Sequence, residues 1–197
     1  MVKLKICGIK RIEDINIVNR YKIDYVGFVF AKSSRQISFN KAKKLSDLLN
    51  NNIIPVGVFV NEDIDFIVKL YVEEIIKIAQ LHGTEDETYI KNLKDKSYME
   101  TGRKIPIINA IEIKNINKNS LNKKLLNLND SCADYLILDS GKGSGKPFNW
   151  KLLDKDKLLK KPFFLAGGLN NKNLELAITE FNPYAVDLSS SVETNGF

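Results

Sequence analysis

The stretch "DYLILDS" (134–140) has the form from which the fold can be predicted. An apolar run ends in an aspartate, and a polar loop follows it. Short runs of the same kind, rich in β-branched residues, recur along the rest of the chain at 3–9, 24–30, 53–60, 75–83, 106–113, 163–169 and 185–192. Most are nearly continuous in apolar residues, which is typical of strands buried on both faces.

Polar segments with helical periodicity separate these runs. The first of them places Ile12, Ile15 and Val18 on one face, and Asn61 and Asn170 stand where N-caps are expected. The pattern predicts helices over 11–21, 40–50, 62–73, 87–97, 119–128, 150–160 and 171–181.

Eight strands alternating with seven helices predict parallel βα units. A doubly wound sheet would fit that count. A (β/α)₈ TIM barrel fits better, because polar side chains follow nearly every strand and in a barrel those ends meet on one rim. We expect a single domain over 1–197. Only "ETNGF" follows the last strand, so the eighth helix is missing from this sequence, and we expect a longer natural chain to supply it.

Composition narrows the classes of function. The chain is 44% hydrophobic and 27% charged, as in an ordinary globular protein, and its net charge of +6 comes from dispersed lysines. Dispersal argues against a nucleic-acid partner, whereas a small anionic substrate would be attracted. No signal peptide or membrane-length apolar run is visible, so we expect a cytoplasmic protein. With a single histidine and no C-x-x-C pair, we expect no metal site.

The candidate site residues all lie at the ends of predicted strands or just beyond them. Each alone has a plainer explanation: a buried cysteine, a structural histidine, a turn-forming aspartate or a glycine turn. Their joint placement on one rim favours function, and barrel enzymes often bind phosphate in the loops after strands 7 and 8. The candidates are Cys7, Arg35, Gln80, His82, Asp139, Gly167, Gly168, Ser189 and Ser190.

The glycine- and lysine-rich loop in "LILDSGKGSGKPFNW" (136–150) invites a nucleotide-binding interpretation. The P-loop pattern requires glycine where Ser140 stands and a hydroxyl residue where Pro147 stands. We therefore interpret 141–147 as a lid that closes over substrate beside Asp139.

Six segments together resemble a known family: "KICGI", "DYVGFVF…SSRQIS", "QLHG", "LILDS…GSGKPFNW", "AGGLN" and "VDLSSSVE". They are similar, in order and over residues 3–194, to the phosphoribosylanthranilate isomerases of tryptophan biosynthesis. The resemblance implies a cofactor-free Amadori rearrangement with Cys7 as base and Asp139 as acid. It implies that Arg35 holds the anthranilate carboxylate and that "AGGL" and "DLSSSVE" grip the phosphate. Gln80 and His82, at the end of the fourth predicted strand, are substrate-binding candidates.

That chemistry needs a thiolate base and a protonated acid. Free Asp titrates near ~3.9 and free Cys near ~8.5, so the site must reverse their order. Lys5 and Lys142 are candidate charges near Cys7.

The sequence departs from the family pattern at Ser34 and Gln36, on either side of Arg35, and at Ser191, in the phosphate motif. The sequence therefore does not determine how Arg35 is positioned or how the phosphate is contacted. Two other functions stay open: the related sugar-phosphate isomerase of histidine biosynthesis, which resembles a two-aspartate design, and a non-catalytic barrel that binds a phosphorylated ligand. A pentulose-phosphate epimerase would need metal ligands that a single histidine does not supply. We expect a monomer or a homodimer.

Overall fold

The computed structural model describes residues 1–113, 116–140 and 160–193. Its eight strands are hydrogen-bonded in sequence order as a closed parallel barrel, which confirms the predicted (β/α)₈ fold. The strands are β1 (Lys3–Cys7), β2 (Tyr25–Val29), β3 (Ile54–Phe59), β4 (Ile78–Leu81), β5 (Ile107–Glu112), β6 (Tyr135–Asp139), β7 (Phe163–Leu165) and β8 (Ala185–Leu188).

The helices of the described residues lie between these strands. They are α1 (Ile12–Val18), α2 (Phe39–Ser46), α3 (Ile64–Val72), α4 (Glu87–Thr101), α5 (Lys118–Asn129) and α6 (Leu174–Phe181), and a short 3₁₀ turn (Ser190–Val192) follows β8. The predicted helix at 150–160 and the predicted lid at 141–147, with Lys142, lie outside the described residues. No helix in the described ranges is long and apolar enough to cross a membrane.

Residues 5–108 form one compact unit. Strand β2 is buried along its whole length because both of its faces pack against other elements, as its continuous apolar sequence predicts. Phe30, just after β2, stacks on Phe59 of β3 with ring centroids 5.2 Å apart. Lys5 is an exception to the apolar core, since this lysine of β1 is completely buried.

Residues 1–4 together with 109–197 form a second compact unit. Its core includes an aromatic cluster at the start of the last strands, in which Tyr135 meets Phe164 edge to face and Tyr184 packs against both rings. Burial is the main reason that the pKa of Tyr135 is raised above its usual value, with the neighbouring Tyr184 adding to it. Lys3 joins this cluster through a backbone bond to Tyr184 and an ammonium group over its ring.

Both predicted asparagine caps are wrong. Asp63 caps α3 by accepting from the N–H of Asp65, whereas Asn61 lies at the end of β3 with φ +49° and bonds to the next loop. Helix α6 begins at Leu174, with Asn173 as its cap residue; Asn170 accepts from Lys172 in the preceding turn. In both cases a turn lies between strand and helix, and asparagine favours such turns as readily as caps.

The predicted buried face of α1 is partly wrong. Ile15 and Val18 are buried, but Ile12 is 54% exposed. The helix begins only at Ile12, so this residue lies at its open first turn rather than against the core.

Candidate active site

Cys7 is the last residue of β1, as predicted, and it lies against Gly27 of β2, its partner in the sheet register. A Cβ atom at position 27 would be 2.6 Å from the Cys7 Sγ and 3.1 Å from its Cα. The carbonyl oxygen of Gly27 also accepts from the N–H groups of Gly8 (2.9 Å) and Ile9 (3.1 Å). Gly27 therefore gives the cysteine side chain its space and holds the loop that follows it.

The Arg35 side chain crosses directly over Gly8, the residue after Cys7. Gly8 has φ +100°, and a Cβ atom there would be 2.4 Å from the Arg35 Cδ and 3.1 Å from its Nε. Only glycine accepts both this backbone conformation and this close approach. The structure thus brings the predicted base and the predicted carboxylate-binding arginine together at one strand end.

The loop that carries Arg35 is held by the residues that depart from the family pattern. Gln36 pairs with Val29 in an isolated bridge, and its Nε2 donates to the Phe30 carbonyl oxygen at 2.8 Å. The carbonyl oxygen of Ser34 accepts from the Lys10 ammonium group at 3.4 Å. These bonds provide an anchor for Arg35 that its sequence context alone did not reveal.

Asp14 organises the loop between Cys7 and α1. One of its carboxylate oxygens accepts from the backbone N–H groups of Lys10 (3.1 Å) and Arg11 (2.9 Å), and the other from the Arg11 guanidinium at 2.6 and 3.0 Å. Burial opposes ionisation of this carboxyl group, but these hydrogen bonds outweigh it and lower the pKa of Asp14. The loop after the cysteine is therefore fixed by a charge-assisted network.

Gln80 and His82 stand at the end of β4, as predicted. Gln80 is 2% exposed, and its Oε1 accepts no hydrogen bond from the described residues. The half-buried His82 donates its backbone N–H to Phe59 at 2.9 Å. A buried amide oxygen that has no donor among these residues is suited to receive one from a bound ligand.

In the second unit, Asp139 is the last residue of β6 and is half-buried. Its carbonyl oxygen accepts from the N–H of Ile113 at 2.8 Å. The next residue, Ser140, is buried against Gly167, where a Cβ atom would be 2.4 Å from both the Ser140 backbone N and its Oγ. Gly167, with φ +83°, is thus needed for the turn after β7 to pass beside the loop that carries Asp139.

The turns after β7 and β8 lie at one level of the sheet, since the register pairs Phe164 with Ala185. The backbone N–H groups of Gly167 and Gly168 donate to no other described residue. The Gly168 carbonyl oxygen accepts from the side-chain amides of Asn170 (3.1 Å) and Asn173 (3.0 Å). These two hydrogen bonds fix the turn through its carbonyl group and leave the N–H groups of both glycines without a described acceptor.

The serines that complete this predicted anion site follow directly. Ser189 is half-buried at the end of β8, and Ser190 is exposed at the start of the 3₁₀ turn. Ser191, a departure from the family pattern, is exposed in the same turn. Backbone N–H groups and serine hydroxyls arranged in this way are suited to phosphate.

The sequence matches a family of known proteins along nearly its whole length. The sequence matches the family described as N-(5'phosphoribosyl)anthranilate (PRA) isomerase over residues 4–197. The N-(5'-phosphoribosyl)anthranilate isomerases of Endomicrobium trichonymphae and Clostridium acetobutylicum are each 46% identical, over alignments that span 100% of this chain and 92% of theirs.

The chain belongs to the N-(5'-phosphoribosyl)anthranilate isomerase family. It is accordingly an enzyme, and an isomerase.

Solved structures of this family have the same fold. Monomers of the dimeric phosphoribosylanthranilate isomerase of Thermotoga maritima superpose with a TM-score of 0.81 at 33% identity, covering 100% of this chain and 91% of theirs. Another phosphoribosylanthranilate isomerase structure, in complex with reduced 1-(o-carboxyphenylamino)-1-deoxyribulose 5-phosphate, superposes with the same TM-score at 32% identity and the same coverage.

Two glycines that leave room for the side chains at the isomerase strand ends were not predicted from the sequence. Gly27 and Gly8 were not among the predicted site residues, although a glycine inside an apolar strand is a signal of close backbone approach. Lys5, the predicted charge near Cys7, lies two residues earlier on the same face of β1 and is completely buried.

Proposed function

We propose that this chain converts N-(5'-phosphoribosyl)anthranilate into 1-(2-carboxyphenylamino)-1-deoxyribulose 5-phosphate by general acid–base catalysis, as one barrel domain over 1–197. The observation that carries the proposal is the packing of Arg35 over Gly8, directly after Cys7. It joins a cation suited to a carboxylate with a nucleophilic side chain at the carboxyl end of a barrel strand, where barrel enzymes have their catalytic residues.

In the first step Asp139 acts as the acid. It donates a proton to the furanose ring oxygen while the nitrogen lone pair of the substrate forms a double bond to C1′. The bond between C1′ and the ring oxygen breaks, which opens the sugar and leaves an iminium ion. Asp139 suits this role because it ends β6, as a catalytic residue of a parallel barrel does.

In the second step Cys7 acts as the base. Its sulfur takes the proton from C2′, and the electron pair of that bond forms the C1′–C2′ double bond while the nitrogen regains its lone pair. The resulting enolamine tautomerises to the ketone, so the product is an isomer of the substrate. A nearby positive charge favours the thiolate form of a cysteine, and Arg35 lies across the residue next to it.

The two ends of the substrate bind to different kinds of group. The Arg35 guanidinium takes the anthranilate carboxylate through charge-assisted hydrogen bonds. The N–H groups of Gly167 and Gly168 and the hydroxyls of Ser189 and Ser190 take the phosphate, which the positive φ of both glycines permits.

A turnover assay tests the proposal. The purified chain is supplied with N-(5'-phosphoribosyl)anthranilate, loss of the anthranilate-type fluorescence is followed, and the C2′ ketone of the product is identified by NMR. We expect turnover, most of which the Cys7→Ser variant should lose. Binding of reduced 1-(o-carboxyphenylamino)-1-deoxyribulose 5-phosphate without any turnover would instead indicate a non-catalytic barrel.

A further inference from the structure

The loops after β3 and β4 are joined by a hydrogen-bonded cluster, which we term the β3–β4 clasp (Asn61, Gly83, Thr84 and Glu85). One carboxylate oxygen of Glu85 accepts from the N–H of Asn61, and the other accepts from the N–H of Gly83, each at 2.7 Å. Asn61 completes the cluster, since its Oδ1 accepts from the backbone N–H (2.8 Å) and the hydroxyl (3.1 Å) of Thr84.

The backbone of both loops is shaped to let the clasp close. Asn61 adopts φ +49°, a conformation that asparagine tolerates better than most residues. A Cβ atom on Gly83 would be 2.4 Å from the Asn61 Oδ1 and 2.9 Å from its backbone N. A side chain at position 83 would therefore push the two loops apart.

Tyr89 adds a second tie between the same loops. Its hydroxyl, on the first turns of α4, donates to the Glu62 carbonyl oxygen at 2.7 Å. Burial, followed by the nearby charges of Glu85, Glu62 and Asp63, raises the pKa of Tyr89 well above its usual value, so the phenol stays a neutral donor.

The clasp begins directly after His82 and lies three residues beyond Gln80, the two substrate-binding candidates of this strand end. Gln80 lies beside Val58 in the sheet register and buries an amide oxygen that no described residue satisfies. His82 is held on its other side by the bond from its backbone N–H to Phe59. The segment that carries Gln80 and His82 is therefore held by β3 on one side and by the clasp on the other.

We propose that Asn61 and Glu85 are positioning residues of the isomerase, which hold the segment of Gln80 and His82 in the orientation that contacts the substrate. The inference rests on the proposed function. Neither clasp residue need touch the substrate; both act through the backbone of Gly83 and Thr84, which follow His82 directly. Their loss should weaken substrate binding much more than it slows the chemical step.

Glu85→Gln is the sharpest variant because it keeps the shape of the side chain. An amide offers one acceptor oxygen where the carboxylate uses two, so one N–H loses its partner. We expect KM to rise about tenfold, the effect of one lost hydrogen bond, with kcat within about twofold of wild type. Asn61→Gly keeps the backbone conformation and removes only the side-chain acceptor, and should act in the same direction.

The single histidine of the chain provides a readout that does not depend on activity. The imidazole signals in an NMR spectrum report His82 alone. We expect them to shift or broaden in Glu85→Gln and Asn61→Gly. They should remain unchanged in the control Glu180→Gln, which alters an exposed glutamate of α6. Circular dichroism of each variant shows whether it is folded.

The outcomes separate the two proposals. If the wild-type chain does not turn over N-(5'-phosphoribosyl)anthranilate, the proposed function fails, and the imidazole signals still test whether the clasp positions His82. If the wild-type chain is active and folded Glu85→Gln matches it in both KM and imidazole signals, the positioning role is overturned. A fall in kcat with unchanged KM would also contradict it, because that would place Glu85 in the chemical step.

Discussion

The strand ends of residues 5–108 and the turn after β7 differ in the groups that they leave available. After β1 to β4, side chains hold the loops: Asp14 and Gln36 bond to backbone groups near Cys7 and Arg35, and Glu85 does so beyond His82. After β7, the glycine turn keeps two N–H groups away from any described acceptor. The first arrangement holds the side chains that we propose for recognition and chemistry, and the second leaves free of described acceptors the backbone donors that we propose bind an anion.

The strongest test of the first region is Cys7→Ser. Serine is a far poorer base, so we expect kcat to fall about 10²–10⁴-fold, the usual effect of losing a general base. Affinity for reduced 1-(o-carboxyphenylamino)-1-deoxyribulose 5-phosphate, measured by calorimetry, should stay near that of wild type. A kcat near wild type would end the assignment of Cys7 as base.

In the second region the corresponding change is Asp139→Asn. An amide has no acidic proton to donate, and kcat should fall about 10²-fold or more. The wild-type profile of kcat/KM against pH should be bell-shaped and report the pair. In the profile of the variant, the decrease of kcat/KM on one side of the pH optimum should disappear. A profile that still decreases on both sides would show that another group is the acid.

Arg35→Ala separates binding from chemistry. A charge-assisted hydrogen bond contributes about 1.5–3 kcal/mol, so KM should rise about 10- to 100-fold with a smaller change in kcat. Steady-state kinetics measure both. An unchanged KM would mean that the carboxylate is bound elsewhere.

Gly27→Ala tests the space beside the base. Because the added methyl group would be 2.6 Å from the Cys7 Sγ, the thiol must move, and we expect about a tenfold loss of kcat. Gly102→Ala is the matched control: φ is +71° there, but no atom lies within 4 Å of the added carbon. It should lower stability by about 1–2 kcal/mol in urea unfolding and leave kcat alone.

The smallest effect is expected for Asp14→Asn. The lowered pKa of Asp14 means that its ionised form stabilises the fold above the unfolded value of roughly 3.9, and that this contribution disappears as pH falls through the folded value. Asp14 and Arg11 are partly exposed, so the loss at pH 7 should stay below about 1 kcal/mol. Urea unfolding of both proteins at pH 7 and pH 3 measures it; a difference that grows toward low pH would contradict the assignment.

The candidate catalytic and binding residues were more predictable than the residues that anchor the loops around them. Cys7, His82 and Asp139 could be placed because parallel strands end in polar residues at one rim. The anchors could not: from sequence, Gln36 is only a departure from the family pattern, and Asn61 stands where a helix cap is expected. Their bonds join segments distant in sequence, and periodicity contains no information about such contacts.

By itself, the sequence determined the order of strands and helices and the residue types at each strand end. Both follow from local rules, since burial on two faces requires continuous apolar runs and a parallel barrel collects the strand ends. Only the tertiary structure decided which backbone passes next to which side chain. At Gly27 beside Cys7, Gly8 beside Arg35 and Gly83 beside Asn61, an added Cβ atom would be only 2.4–2.6 Å from the neighbouring side chain. Close packing between distant segments sets these approaches, and no local pattern identifies the partner.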